Sequence, residues 1–134
     1  MFLMIDVENA LYTDVRNAIN DICKSGTSEV ATPSSFPYVS FVQKDNPIYE
    51  KTSTSTEIEN HVKPMIQIDV YSEKSKTECK TICSKVDDVM KADGFTRTFG
   101  YEPTVNGPNY WRFTARYTGV VSKNTNNEFT VYSK

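Results

Sequence analysis

Two cysteines and a histidine are the residues of this chain that most resemble parts of a metal or catalytic site. Cys79 and Cys83 stand four positions apart, so on a helix they share one face. A zinc site needs about four ligands, and the single histidine, His61, lies elsewhere in the sequence. The two cysteines are in register with an apolar stripe that includes Ile82 and Val86, which favours buried core thiols. Cys23, at the end of the first predicted helix, is interpreted in the same way.

The sequence offers no second feature from which to build catalysis. His61 is more typical of a surface residue than of a base, and no Gly-x-Ser-x-Gly motif accompanies it. Phosphate-binding glycine loops and the His-Glu-x-x-His motif are also absent from the sequence. Asp87 and Asp88 fall on the predicted outer side of a helix, which favours a solvated surface over a metal site. We therefore expect no enzyme activity, no cofactor and no metal.

Three arginines could contact a nucleic acid. Arg112 and Arg116 share one face of a predicted strand, and Arg97 lies on another strand. Such a stripe could bind phosphates, but pairing with acids such as Asp69 on the polar face of a sheet is the favoured interpretation. The net charge of −2 and the pI of about 5.4 do not give the basic field of a typical nucleic-acid-binding protein.

The composition fits a single soluble domain. The 134 residues are 38% hydrophobic and include eight Tyr and seven Phe, enough for an aromatic core. Three cysteines, an odd number, argue against a disulfide framework. The first residues carry Asp6 and Glu8, which is unlike a signal peptide or a membrane span. We expect one domain over residues 1–134, made in the cytoplasm, with no membrane partner.

The clearest pattern runs from Lys63 to Met90 and predicts a strand followed directly by a helix. In the strand, at 65–73, apolar residues alternate with Gln67, Asp69 and Tyr71, so one face is dry and the other mixed. Ser75 and Glu78 form a predicted capping box for a helix that continues to about residue 92. We expect the helix to cover the dry face and Gln67, Asp69 and Tyr71 to face outward.

The remaining pattern completes an α+β fold. A first helix is predicted at 6–25, with Asp6 as its cap, and further strands at 36–43, 95–101, 109–122 and 128–132. The order α-β-β-α-β-β-β predicts a mostly antiparallel sheet of four to five strands with two helices on one face. Residues 44–62 lack periodicity and are expected to form a long mobile arm or a β-hairpin.

With little catalytic chemistry in the sequence, the mixed face and the arm favour an interaction protein. The expected assembly interface combines residues of both: Tyr49, Glu57, Glu59, Gln67, Asp69, Tyr71, Arg112 and Arg116.

Most of the chain resembles a known family. A strand ending in Tyr71-Ser72, a helix closing with Gly94-Phe95, and a late strand with Trp111, Arg112, Arg116 and Tyr117 are similar to the tail terminator or tail-completion proteins of long-tailed bacteriophages. The resemblance implies a sheet with two helices on one side and a hexameric ring that caps the tail tube, ends its growth and faces the head connector. It also implies that DNA passes through the ring without specific binding.

The resemblance implies the partners and the location as well. The partners would be further copies of the chain, the tail tube protein and the stopper protein of the head–tail connector. The location would be the head-proximal end of the virion tail, with assembly in the host cytoplasm. Two alternatives stay open: a head-side stopper or adaptor of the phage neck, and a small nucleic-acid-binding α+β protein.

Overall fold

The computed structural model describes residues 7–28, 33, 35–45, 62–106, 109–123 and 129–131. In this part of the chain there are two helices, α1 (Glu8–Ile19) and α2 (Lys76–Ala92). The strands are β1 (Lys24–Gly26), β2 (Tyr38–Asp45), β3 (Met65–Ser72), β4 (Thr96–Asn106), β5 (Trp111–Thr118), β6 (Val121–Lys123) and β7 (Phe129–Val131).

The predicted α+β class and mostly antiparallel sheet are confirmed. Five strands form one sheet in the order β1-β2-β3-β5-β4, in which β1 and β2 run parallel and every other pair is antiparallel. Strands β6 and β7 pair separately. Val62 and Val121 join the two regions through backbone hydrogen bonds of 2.9 and 2.8 Å.

The two helices cover one face of the five-stranded sheet, as predicted. Alternation along β3 directs Ile66, Ile68 and Val70 toward the helices, where all three are fully buried. The same face receives apolar residues from the neighbouring strands and from both helices: Val39, Phe41, Phe113, Ala115, Val15, Ile19, Ile82, Val86 and Met90. Burial of this one face supplies the driving force that holds the helices on the sheet.

Helix α2 begins with half of the predicted capping box. The Ser75 hydroxyl accepts a hydrogen bond from the Glu78 amide at 3.0 Å. The Glu78 carboxylate does not return to Ser75; it accepts from the Ser72 hydroxyl at 2.6 Å and so ties the helix to the end of β3. The helix ends before Gly94, whose φ of 86° favours glycine.

Helix α1 is shorter than predicted. It ends at Ile19, whose carbonyl accepts from the amides of Ile22 and Cys23 and closes the last turn. The chain then enters β1, which sequence patterning missed because three residues are too few to show a period. Gly26 is part of β1, and the Tyr38 hydroxyl lies where a Cβ of residue 26 would project. The predicted cap, Asp6, lies outside the described residues.

The last strands also differ from the prediction. Strand β4 continues through the segment predicted as a turn, and Pro103 is tolerated there because β4 is an edge strand. The predicted strand at 109–122 is divided into β5 and β6, with Gly119 and Val120 between them.

Only the ends of the predicted arm at 44–62 can be described. Residues 44 and 45 extend β2, Val62 bridges to Val121, and residues 46–61 lie outside the described part of the chain. Neither described helix is long and apolar enough to cross a membrane.

Candidate interaction surface

The side of the five-stranded sheet away from the helices, here called the open face, carries Gln67, Asp69 and Tyr71. The expectation that these side chains point away from the helices is met, but the expectation that they are exposed is wrong. Their relative exposure is 8%, 2% and 0%. Polar and aromatic neighbours on β2 and β5 close around them, so β3 is buried on both faces.

Asp69 is the centre of a polar network on the open face. Its carboxylate accepts from the Thr114 hydroxyl at 2.6 Å, from Arg112 Nε at 3.3 Å and from the Gln67 amide at 3.2 Å. Arg112 Nη2 lies 3.2 Å from the second carboxylate oxygen, so the arginine is bidentate. Burial alone would lower the pKa of Arg112, but its hydrogen bond and charge contact with Asp69 outweigh burial and raise that pKa. The preferred interpretation of Arg112, pairing with Asp69, is confirmed.

The network ends at an exposed corner formed by Arg116 and Phe99. Gln67 accepts from Arg116 Nε at 3.1 Å while its amide nitrogen donates to Asp69, so Gln67 connects the buried carboxylate to the exposed arginine. The Arg116 guanidinium lies 5.8 Å from the centre of the Phe99 ring. Phe99 is 41% exposed. We call this pair the Arg116–Phe99 corner.

Aromatic rings cover the other end of the open face. Tyr71 packs against Tyr38 and Tyr110 with ring centres 6.3 and 6.0 Å apart, and Phe36 packs against Tyr110 at 5.7 Å. Arg112 lies 5.5 Å from the centre of the Tyr71 ring. Burial is the main cause of the raised pKa of Tyr71. This end of the face is closed by packing.

Asp87 is the centre of a second network, on the helix-covered side. Its carboxylate accepts from the Tyr117 hydroxyl at 2.6 Å and forms ion pairs with Lys91 at 2.8 Å and Arg97 at 3.4 Å. The prediction that Asp87 is solvated is wrong, since its relative exposure is 9%, whereas Asp88 is exposed as predicted. Burial opposes ionisation of Asp87, but its hydrogen bonds to Lys91 and Tyr117 and the nearby cations together lower its pKa.

The two networks separate the three arginines that could have formed one phosphate-binding stripe. Arg97 pairs with Asp87 on the helix-covered side, and Arg112 and Arg116 lie on the open face. A register shift between Arg97 and Phe99 places them on opposite faces of β4, although two residues apart in a regular strand would share a face. No sequence pattern announces this bulge, which is why Phe99 was missed as a surface residue.

The three cysteines are buried and unpaired with one another, as the core interpretation predicts. Cys79 Sγ lies 3.7 Å from the Val70 carbonyl, between α2 and the sheet. Burial raises the pKa of Cys23 and of Cys79 to about 11, and it raises that of Cys83 as well. Among the described residues no three His, Cys, Asp or Glu side chains form a cluster suited to a metal.

The remaining residues of the predicted interface, Tyr49, Glu57 and Glu59, lie outside the described residues, as does His61. The structure therefore brings together the five sheet residues of the predicted interface and does not place the three from the arm.

No protein-family model matches this chain, and no curated protein sequence matches it. Among solved structures, one described as the structure of bacteriophage SPP1 gp17 protein is similar to it. That match covers 91% of this chain and 94% of the other, with 13% identity and a TM-score of 0.43. A similarity of this degree assigns no function to the chain.

Proposed function

We propose that the protein is a structural virion component of a long-tailed bacteriophage. It caps the tail tube, ends tube polymerisation and forms the tail-side surface for head–tail joining, as a hexameric ring. DNA passes through the ring without specific binding. The protein has no catalytic role, and its partners are its own copies, the tail tube protein and the head–tail stopper.

Support comes first from the residues that resemble the tail-terminator family. Tyr71-Ser72 end β3, Gly94-Phe95 follow α2, and Trp111 to Tyr117 occupy β5, which pairs with β3. These segments form the centre of the sheet and its covering helix. The sheet with two helices on one side is also the fold that the resemblance implies.

The Arg116–Phe99 corner is the observation that carries an assembly role. An aromatic ring and an arginine are the side chains most enriched at the energetic centres of protein interfaces. Arg116 is held in place by Gln67 and by the Phe99 ring, so less side-chain entropy is lost when a partner binds. Gln67, Asp69 and Tyr71 then act from beneath the surface, by positioning Arg112 and Arg116.

The sheet edges favour side-chain contacts over strand pairing between copies. Strand β4 is an edge strand with three register shifts and Pro103, features that interfere with pairing to another chain. The opposite edge, β1, has only three residues. Ring formation by extending the sheet would therefore give few hydrogen bonds.

Polymerisation of the tail tube protein in the presence of this protein tests the proposal. Electron microscopy should show tubes with extra density at one end and a length distribution that shortens as the protein is added. Tubes of unchanged length with bare ends would overturn the capping role. A head-side stopper would instead bind DNA-filled heads and leave tube growth unaltered, so the same preparation separates the two neck functions.

A further inference from the structure

We propose that the groove between α2 and β4 binds an acidic segment of a partner protein. The groove has a volume of about 290 Å³, and its lining includes Lys80, Ser84, Asp87, Arg97 and Tyr101. It is on the helix-covered side of the sheet, apart from the Arg116–Phe99 corner. The inference does not depend on the proposed tail function.

The positions of the cations follow from helix geometry. Lys80, Ser84, Asp87 and Lys91 recur at spacings of three and four residues, so they lie along one ridge of α2. Strand β4 contributes Arg97 from the opposite wall. Lys85 is exposed on another side of the helix, and Asp88 is exposed one turn after Ser84; neither lines the groove.

The groove carries an excess of positive charge. Among the described lining residues Asp87 is the only carboxylate, and it pairs with Arg97, which also lines the groove, and with Lys91, which does not. Lys80 is a third cation and has no acidic partner among the described residues. Of the two cations in the described lining, Lys80 and Arg97, one is compensated by Asp87, so one positive charge remains, which favours an anionic ligand.

The floor of the groove is rigid. The Tyr117 hydroxyl has one proton, which it donates to Asp87, so in its 3.0 Å contact with Tyr101 the Tyr101 hydroxyl is the donor. These two hydrogen bonds hold the Asp87 carboxylate in place, and the carboxylate in turn holds Arg97. Arg97 also lies 5.8 Å from the centre of the Tyr101 ring. A cation held in this way loses little freedom when a ligand binds.

An acidic protein segment fits these observations better than a nucleic acid. A nucleic acid presents phosphates along its whole length and extends beyond the groove over a chain with a net charge of −2, whereas a short acidic segment contacts only the groove. The lysines are exposed and screened by salt, so a small free anion would be held weakly. Several carboxylates on one segment can engage the cations of the ridge together.

The test is a titration of isotope-labelled full-length protein with hexaglutamate, followed by amide NMR, with hexaglutamine as the uncharged peptide. Amide shifts should concentrate at Lys80, Ser84 and Arg97 and be absent with hexaglutamine. Lys80→Glu should weaken hexaglutamate binding about ten-fold, because it reverses one charge of the ridge. Lys85→Glu makes the same charge change on the same helix outside the groove and should alter the affinity by less than about two-fold.

Three results would overturn the proposal. One is equal weakening by Lys85→Glu and Lys80→Glu, which would mean attraction without a site. Another is an absence of localised shifts with hexaglutamate. The last is tighter binding of duplex DNA or inorganic phosphate than of hexaglutamate at the same amides. Both lysines are exposed, so neither variant should unfold the protein.

Discussion

Each face of the sheet has a buried aspartate at the centre of a polar network, and the two networks lead to different surfaces. On the open face Asp69 accepts from a hydroxyl of β5 and from an arginine; on the helix-covered side Asp87 does the same. The network of Asp69 leads to an exposed aromatic residue beside an arginine. The network of Asp87 leads to a positively charged groove. One polar anchor per face thus supports two surfaces of different chemistry, the first suited to apolar and stacking contacts and the second to acidic ones.

The largest expected effect is the low reactivity of the buried thiols compared with that of a free cysteine. Because burial raises the pKa of Cys23 and Cys79 to about 11, their thiolate fraction at about pH 8 is lower than that of a free cysteine by about a hundred-fold. Iodoacetamide labelling followed by mass spectrometry should find all three thiols slow in the native protein and fast in urea. A native thiol that reacts at the unfolded rate would show that the helices do not cover it.

Loss of the open-face anchor should be the most destabilising of the substitutions considered. Asp69→Ala removes the ion pair with the partly buried Arg112 and the 2.6 Å hydrogen bond from the Thr114 hydroxyl, and we expect the free energy of unfolding to fall by about 3 kcal/mol. Urea denaturation measures this. The matched substitution Asp88→Ala removes an exposed carboxylate and should cost less than about 0.5 kcal/mol. Equal effects would mean that Asp69 is not an anchor.

On the helix-covered side, loss of the hydroxyl that donates to Asp87 should lower the free energy of unfolding by less. Tyr117→Phe removes the 2.6 Å hydrogen bond to Asp87 and the 3.0 Å hydrogen bond from Tyr101, but Lys91 and Arg97 still compensate Asp87, so a loss of about 2 kcal/mol is expected. Tyr110→Phe is the control, because the Tyr110 hydroxyl has no hydrogen bond among the described residues, and it should be near neutral. A larger loss for Tyr110→Phe would contradict this assignment.

The lowered pKa of Asp87 predicts that the free energy of unfolding depends on pH. Because the pKa of Asp87 is lower in the folded protein than its ordinary 3.8, its contribution to stability is complete above that value and disappears as the pH falls below it. Asp87→Asn should therefore be less stable than the wild type at neutral pH and approach it in acid. Parallel curves of unfolding free energy against pH would show that the carboxylate is not stabilised by its partners.

The Arg116–Phe99 corner should contribute little to stability. Phe99 is 41% exposed, so Phe99→Ala should change the free energy of unfolding by less than about 1 kcal/mol. A much larger loss, measured in urea, would mean that Phe99 belongs to the core and is not available to a partner.

Sequence patterning predicted the regular features of the fold and missed the irregular ones. The alternation of Ile66, Ile68 and Val70 and the Ser75 cap were enough to define β3, α2 and the covered face. Burial of Asp69 was not predictable, because it depends on Arg112 and Thr114, which are more than forty positions away. The bulge that turns Phe99 to the open face and Arg97 to the other depends on pairing with β5, and no local residue pattern specifies it.

Tube growth with surface variants tests the central claim most directly. Wild-type protein and Lys85→Ala, which alters an exposed residue away from the corner, should both cap tubes and shorten them. Phe99→Ala combined with Arg116→Ala should remain folded and leave tube ends bare and tube lengths unrestricted. Capping by this double variant at wild-type concentrations would contradict the assignment of the Arg116–Phe99 corner as the contact surface.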